Sequence, residues 1–215
     1  SGQYVAALAF DTAGVLYVGG SFVARDDPAL SGLVRVLPAR GEWRTVGDRT
    51  PEAIYVIIPR NDGVCVAGAL GAGSGAQVAC WEGGTWADLG PAFDGAWVGA
   101  LAEHEGDLVA GGSGLTADSA VARWNGSSWE AVGRLALAAP GEGVLALASV
   151  GGSLVAGGYF SLGPNVAYLD GVAWRPLAGG LDGAVYAIVP TERGLLFGGE
   201  FELADGSPSW GLARL

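Results

Sequence analysis

Leu154-Val155-Ala156-Gly157-Gly158-Tyr159-Phe160 is a short apolar run that meets a double glycine and then two aromatics. Versions of it recur as Leu16-Tyr17-Val18-Gly19-Gly20-Ser21-Phe22, Leu108-Val109-Ala110-Gly111-Gly112 and Leu195-Leu196-Phe197-Gly198-Gly199-Glu200-Phe201. A degraded copy reads Val64-Cys65-Val66-Ala67-Gly68. The second glycine falls at 20, 68, 112, 158 and 199, so the spacings are 48, 44, 46 and 41 residues. Self-similarity at a period of about 40–50 residues marks a repeat architecture, and it constrains the fold more than any local propensity does.

Working outward from the double glycine, each repeat divides into four short strands, a to d. In the first repeat these are Val5 to Phe10, the double-glycine strand b, Leu33 to Leu37, and Glu42 to Gly47. Strand d carries a tryptophan at 43, 86, 129 and 174. Strand a aligns in columns: Val5, Ile54, Val98, Val144, Val185, and three residues on Leu8, Ile57, Leu101, Leu147, Ile188. Asn125-Gly126, Asp170-Gly171 and Gly83-Gly84 supply tight turns between strands c and d, where φ > 0 is needed. The double glycine fits either a bulge or a close backbone approach. No ten-residue stretch has helical periodicity. Four strands per unit at this period predict an all-β, five-bladed β-propeller of four-stranded antiparallel blades. The fifth repeat stops at Trp210 to Arg214 without a d-strand tryptophan, so the last blade is expected to lack its outermost strand. The expectation is one domain over 1–215, with repeats at about 4–52, 53–95, 96–142, 143–183 and 184–215.

Composition excludes several classes. The net charge is −11 and all 11 basic residues are arginine, so a nucleic-acid partner would be repelled. No apolar run approaches the ~18 residues of a membrane helix, so no membrane insertion is expected. No signal peptide begins at Ser1, which suits either a cytosolic chain or a mature or excised domain, the latter being the expectation. The two cysteines, Cys65 and Cys80, fall on neighbouring strands of the second repeat; a cross-strand disulfide and two buried thiols both remain open.

The sequence resembles kelch-like bacterial and fungal propeller repeats. Gly157-Gly158-Tyr159-Phe160, Asn165-Val166-Ala167-Tyr168-Leu169, Asp170-Gly171-Val172-Ala173-Trp174-Arg175-Pro176-Leu177 and Val121-Ala122-Arg123-Trp124-Asn125-Gly126-Ser127-Ser128-Trp129 carry the resemblance. The second repeat departs from it at Ala67-Gly68-Ala69-Leu70. The resemblance implies an extracellular or cell-surface setting and a role in binding proteins or glycans.

Catalytic constellations are not apparent. His104 is the one histidine, and strand a carries no carboxylate from which a propeller glycosidase could be built. The expectation is therefore a non-enzyme: a binding or structural module for protein–protein contact, the alternative being a carbohydrate-binding lectin. No cofactor is expected, although a rim of loop carboxylates could hold Ca²⁺. Candidate ligand-binding residues are the loop acids Asp26, Asp27, Asp94, Asp118, Asp182 and Asp205, together with Tyr55, Trp97 and Tyr186 near the start of strand a. The d-strand tryptophans are assigned to packing between blades. Strand c of the fifth repeat is expected to present an open edge through which copies could self-associate.

Overall fold

The computed structural model describes residues 2–37, 40–49, 51–60, 63–71, 77–91, 93, 95–160, 165–177 and 179–215. The chain is an all-β five-bladed propeller with no helix among those residues. It separates into two compact units, residues 1–98 and 99–215.

The first unit holds two four-stranded blades. Blade one is β1 (Tyr4–Phe10), β2 (Leu16–Val23), β3 (Ser31–Leu37) and β4 (Glu42–Thr45). Blade two is β5 (Ala53–Arg60), β6 (Gly63–Ala69), β7 (Gln77–Glu82) and β8 (Thr85–Asp88). The second unit holds three. Blade three is β9 (Trp97–His104), which starts at the unit boundary, then β10 (Asp107–Ser113), β11 (Val121–Trp124) and β12 (Trp129–Ala131). Blade four is β13 (Gly143–Val150), β14 (Ser153–Tyr159), β15 (Val166–Leu169) and β16 (Trp174–Pro176). Blade five begins with β17 (Ala184–Thr191) and β18 (Gly194–Glu200). A small hairpin, β19 (Leu203–Ala204) and β20 (Ser207–Pro208), then precedes β21 (Leu212–Arg214). Every blade is ordered as in the chain, and blade five is a three-stranded sheet, β17-β18-β21. The hairpin inside its last connection is an addition to the expected repeat; Asp205 and Gly206 make its turn at φ of 48° and 71°.

Strand a is bulged. Its pairing with strand b shifts between Val5 and Ala7, Ile54 and Val56, Val144 and Ala146, and Val185 and Ala187. The extra residues are Ala6, Tyr55, Leu145 and Tyr186. A straight strand sends residues three apart to opposite faces, but one bulge between them returns both to the same face. Val5 and Leu8, like Ile54 and Ile57, therefore project together as a pair of knobs.

The two glycines of the repeat have different tasks. The first is a notch for the knobs of the next blade. A Cβ on Gly19 would lie 2.6 Å from Cγ2 of Ile54 and 2.8 Å from Cδ1 of Ile57. On Gly111 it would meet Val144 at 2.5 Å and Leu147 at 3.0 Å, and on Gly157, Val185 at 2.7 Å and Ile188 at 3.1 Å. The second glycine lies against the carbonyl that the bulge pushes inward: Tyr4 O for Gly20, Ala53 O for Gly68, Gly143 O for Gly158 and Ala184 O for Gly199. The close backbone approach is thus realised at the second glycine, while the bulge lies in strand a and the first glycine receives side chains.

The core follows from this knob-and-notch packing. In the first unit Tyr17, Leu33 and Val46 of blade one close on Ile54, Val64, Val66 and Ala79 of blade two. In the second, Val109, Val121 and Ala102 close on Val144, Leu154, Ala156 and Trp174. Val155 and Val166 in turn close on Val185, Phe197 and Ala213. Each fully buried aliphatic side chain contributes on the order of 1.5–3 kcal/mol relative to exposure. Cys65 and Cys80 sit directly opposite each other on β6 and β7 and are joined as a disulfide, with Cα atoms 4.0 Å apart.

Candidate functional site

Each blade has a leading face, which carries the strand-a knobs, and a trailing face, which carries the first glycine. Blade one shows its leading face uncovered. Val5 is 54% exposed and Leu8 64%, whereas Ile54, Val144 and Val185 at the Val5 position are fully buried. Behind these knobs Val18, Val34 and Val36 form a small core with Leu16, Phe22 and Leu30. All six come from blade one, so this cluster is one-sided, unlike the two-sided cores described above.

The uncovered face encloses a cavity of about 400 Å³. Its floor is Val18 and Val34, its walls are Val5, Phe22, Leu30 and Trp43, and its mouth holds Arg25, Asp26 and Asp27. The loop between β2 and β3 is shaped locally for this. Ala24 N–H donates to Leu30 O at 2.8 Å, Leu30 N–H to Asp27 O at 2.9 Å, and Ala29 N–H to the Asp27 carboxylate at 3.1 Å. These bonds fold residues 24–30 into a closed turn and hold Leu30 against the groove. The site is an apolar trough with a mixed, net acidic rim, a form suited to burying an aliphatic or aromatic surface.

Trp43 reports the same asymmetry. Trp174, its counterpart in blade four, is 5% exposed and donates its indole N–H to Val132 O of blade three at 2.7 Å. Trp86 and Trp129 are half-buried; Trp129 lies 5.5 Å from Trp124, tilted by 55°. Trp43 is 53% exposed. The packing between blades expected of the d-strand tryptophans holds for Trp174 and in part for Trp86; Trp129 meets Trp124 of its own blade, and Trp43 faces the groove.

The candidate residues read from the sequence divide. Asp26 and Asp27 come together at the mouth of the groove. Tyr55 and Tyr186 occupy bulges and are about half exposed. The Tyr55 phenol is raised by burial and by its hydrogen bond with Tyr4. The Tyr186 phenol is raised chiefly by donating to the Glu200 carboxylate at 2.8 Å. Trp97 is partly exposed at the start of β9. Asp118 lines a separate depression of about 220 Å³ between Ser113 and Leu137. Asp182 accepts from the N–H groups of Glu202 and Leu203 at 2.9 and 2.8 Å. Asp205 N–H donates to Gly180 O at 3.0 Å. These last two acids staple the β19–β20 hairpin to the preceding connection. Asp94 lies outside the described residues. The groove residues Val5, Phe22, Leu30 and Trp43 were not among the candidates read from sequence, because Val5 and Trp43 belong to repeat columns assigned to packing and Phe22 and Leu30 are ordinary apolar residues.

Other polar groups tie blades together. Arg49 forks onto Asp88 and lies over the Trp86 ring at 5.4 Å. This pairing lowers the Asp88 carboxyl below its ordinary value. Arg35 on the trailing face of blade one lies over Trp81 on the leading face of blade two, 5.2 Å from the ring centroid. His104 Nδ1 is 2.9 Å from Ser149 Oγ, joining β9 to β13. Among the described residues, the one grouping of three potential metal ligands is Cys65, Cys80 and Glu82, and its two sulfurs are bonded to each other. Among the described residues, no helix is long and apolar enough to cross a membrane.

No family model matches the chain, and no curated protein matches it. Solved structures do. The extracellular domain of a hybrid two-component system from B. thetaiotaomicron superposes with a TM-score of 0.61 at 16% identity, over 97% of this chain and 26% of that one. Acylaminoacyl peptidase from Pyrococcus horikoshii gives a TM-score of 0.55 at 13% identity, over 92% of this chain and 35% of that one. The computationally designed Ika8 protein gives 0.51 at 15% identity, over 97% of this chain and 73% of that one. The chain thus spans about a quarter to a third of the two natural proteins. At these identities the likeness is one of fold.

Proposed function

We propose that the chain is a non-catalytic binding module that engages a protein partner through the leading face of blade one, in a secreted or surface protein. The observation that carries this reading is the uncovered trough of Val5, Phe22, Leu30 and Trp43, rimmed by Arg25, Asp26 and Asp27. A contiguous apolar patch with a polar rim is the usual form of a protein-docking site, and an exposed tryptophan at its edge is a typical anchor. The extracellular setting is supported by the Cys65–Cys80 disulfide, which suits an oxidising compartment. One structural neighbour is itself an extracellular domain.

The test is a displayed peptide library selected on the intact protein and counter-screened on Trp43→Ala, alongside a glycan array. Apolar peptides whose affinity falls at least tenfold in Trp43→Ala, with a blank array, are expected. Glycans bound irrespective of Trp43, or no peptide whose binding depends on Trp43, would overturn the proposal.

A further inference from the structure

A second cavity, of about 230 Å³, lies between blades three and four, and every residue lining it belongs to the unit of residues 99–215. Val109, Gly133 and Leu169 supply apolar wall, Arg123 lines it from β11, and His104 and Glu105 reach it from the connection between β9 and β10. The cleft between blades one and two, inside the other unit, shows what such a space holds when it is filled. There a Cβ on Gly47 would lie 2.9 Å from Cδ1 of Trp86 and 3.0 Å from Cδ1 of Trp81. A Cβ on Gly133 would lie 3.0 Å from Cδ1 of Trp174 and 3.1 Å from Cδ1 of Leu169. Trp81 pairs with Trp86 across β7–β8 as Leu169 pairs with Trp174 across β15–β16. Leu169 therefore stands in the place of Trp81. Val109 stands in the place of Tyr17, since Arg35 is opposite Tyr17 in its sheet and Arg123 is opposite Val109. Two aromatic side chains of one cleft are aliphatic in the other. The indole that lies 5.2 Å from the Arg35 guanidinium is replaced beside Arg123 by a leucine.

We infer that the cavity beside Arg123 binds a neutral planar aromatic ring, an indole or a phenol, held where Trp81 sits in the cleft between blades one and two. The site is separate from the face of blade one and does not depend on it. Roughly 150 Å³ of apolar cavity is enough for a benzene ring, so the space admits one ring system. A ring laid on the guanidinium makes the cation–π contact that Arg35 and Trp81 make within the chain. Arg123 is paired with Asp107 at 3.5 Å and Glu130 at 3.7 Å. Carboxylates engage a guanidinium in its plane and a ring engages its face, so these pairs orient Arg123 without competing for the ring. Together with Glu105 they set three carboxylates against one guanidinium, which disfavours an anionic ligand. A sugar would bury hydroxyls against Val109 and Leu169 with no partner there, at a cost that an aromatic ring does not incur. The ring can arrive as a free heteroaromatic molecule or as an aromatic side chain on a peptide.

NMR titration of the full chain with indole, with N-acetyltryptophanamide and with cyclohexanol tests this, following the backbone amides of Val109, Arg123, Gly133 and Leu169. Indole is expected to give saturable shifts centred on those amides, and cyclohexanol to leave them in place. Leu169→Trp fills the cavity with the residue that blade two carries there, and is expected to weaken indole binding at least tenfold. Arg123→Met keeps the side-chain stem at a half-exposed position but removes the cation, and is expected to weaken it about two- to fivefold. Circular dichroism checks the fold of both variants; if Leu169→Trp does not fold, Arg123→Met decides. Binding of N-acetyltryptophanamide along with indole supports the site and assigns the ring to a peptide side chain. Binding of indole alone supports it and assigns the ring to a free molecule. No saturable shift with millimolar indole, cyclohexanol binding as tightly as indole, or indole binding indifferent to a folded Leu169→Trp or to Arg123→Met would each overturn the inference.

Discussion

Blade four and blade one have the same leading face in sequence and opposite fates in structure. Blade four presents Val144, Leu147, Leu154 and Trp174, all packed within a core shared with blade three. Blade one presents Val5, Leu8, Leu16 and Trp43 in the equivalent places, and the cluster behind that face is built from blade-one residues alone. What separates them is the neighbour: Gly111 receives Val144, whereas Val5 is exposed. The same residues stabilise the fold when covered and become a binding surface when bare. Apolar burial is a property of the pair of faces, not of the face that carries the side chains.

This contrast is most sharply broken at the knobs. Ile54→Ala removes a fully buried side chain from the notch of Gly19 and is expected to cost about 2–5 kcal/mol in urea unfolding followed by tryptophan fluorescence. Val5→Ala, at the same position of an uncovered face, is expected to change stability by less than about 0.5 kcal/mol at dilute concentration. Equal losses would show that blade one's face is covered in the monomer. The notches give a smaller version of the same test. Gly157→Ala places a methyl 2.7 Å from Val185 and is expected to cost about 1–3 kcal/mol. Gly198→Ala meets open space and is expected to be neutral, or to stabilise by up to about 1 kcal/mol through loss of unfolded-state freedom.

The fold was legible because the repeat states it several times over. The double glycine, the d-strand tryptophan and the Asn-Gly and Asp-Gly turns recur at one period, and no competing periodicity runs through them. The bulge was half legible. Valine and leucine three residues apart recurred in strand a, which in a β strand makes sense only if an extra residue lies between them, as Tyr55 and Tyr186 do. The β19–β20 hairpin escaped because its strands are two residues each, and only Asp205-Gly206 marks the turn. The disulfide needed the register that sets Cys65 opposite Cys80. The candidate site was the least legible part. Asp182 looks like a rim carboxylate in sequence, yet it is occupied by backbone N–H groups. Val5 looks like core, since its column is core everywhere else. Composition tells what a side chain would bury against, but not whether anything is there.

Two finer comparisons remain. Trp174→Phe keeps the ring in the blade-four core but removes the shorter of two hydrogen bonds to the Val132 carbonyl, which keeps the Ser119 hydroxyl at 3.3 Å, for a loss of about 0.5–1.5 kcal/mol; Trp43→Phe is expected to leave stability unchanged. The smallest effect belongs to the c–d turns, remote from the knobs of blade one. Asn125 in blade three accepts the N–H groups of Ser127 and Ser128, and Asp170 in blade four accepts those of Val172 and Ala173. The architecture is the same, but only one turn can titrate. The Arg175 guanidinium, donating at 2.8 Å, together with those N–H groups holds the Asp170 carboxyl down to about 2. A depressed native pKa contributes stability that is present above the unfolded value of ~3.9 and is lost as pH falls through the native one, so this turn weakens only in strong acid. NMR titration of the Asp170 carboxyl should give a midpoint near 2 in the native protein, and Arg175→Ala should raise it toward the unfolded value. Val5→Asp should leave that midpoint where it is. A shift with Val5→Asp would mean that blade one's face communicates with blade four, and the local account of the faces would have to be given up.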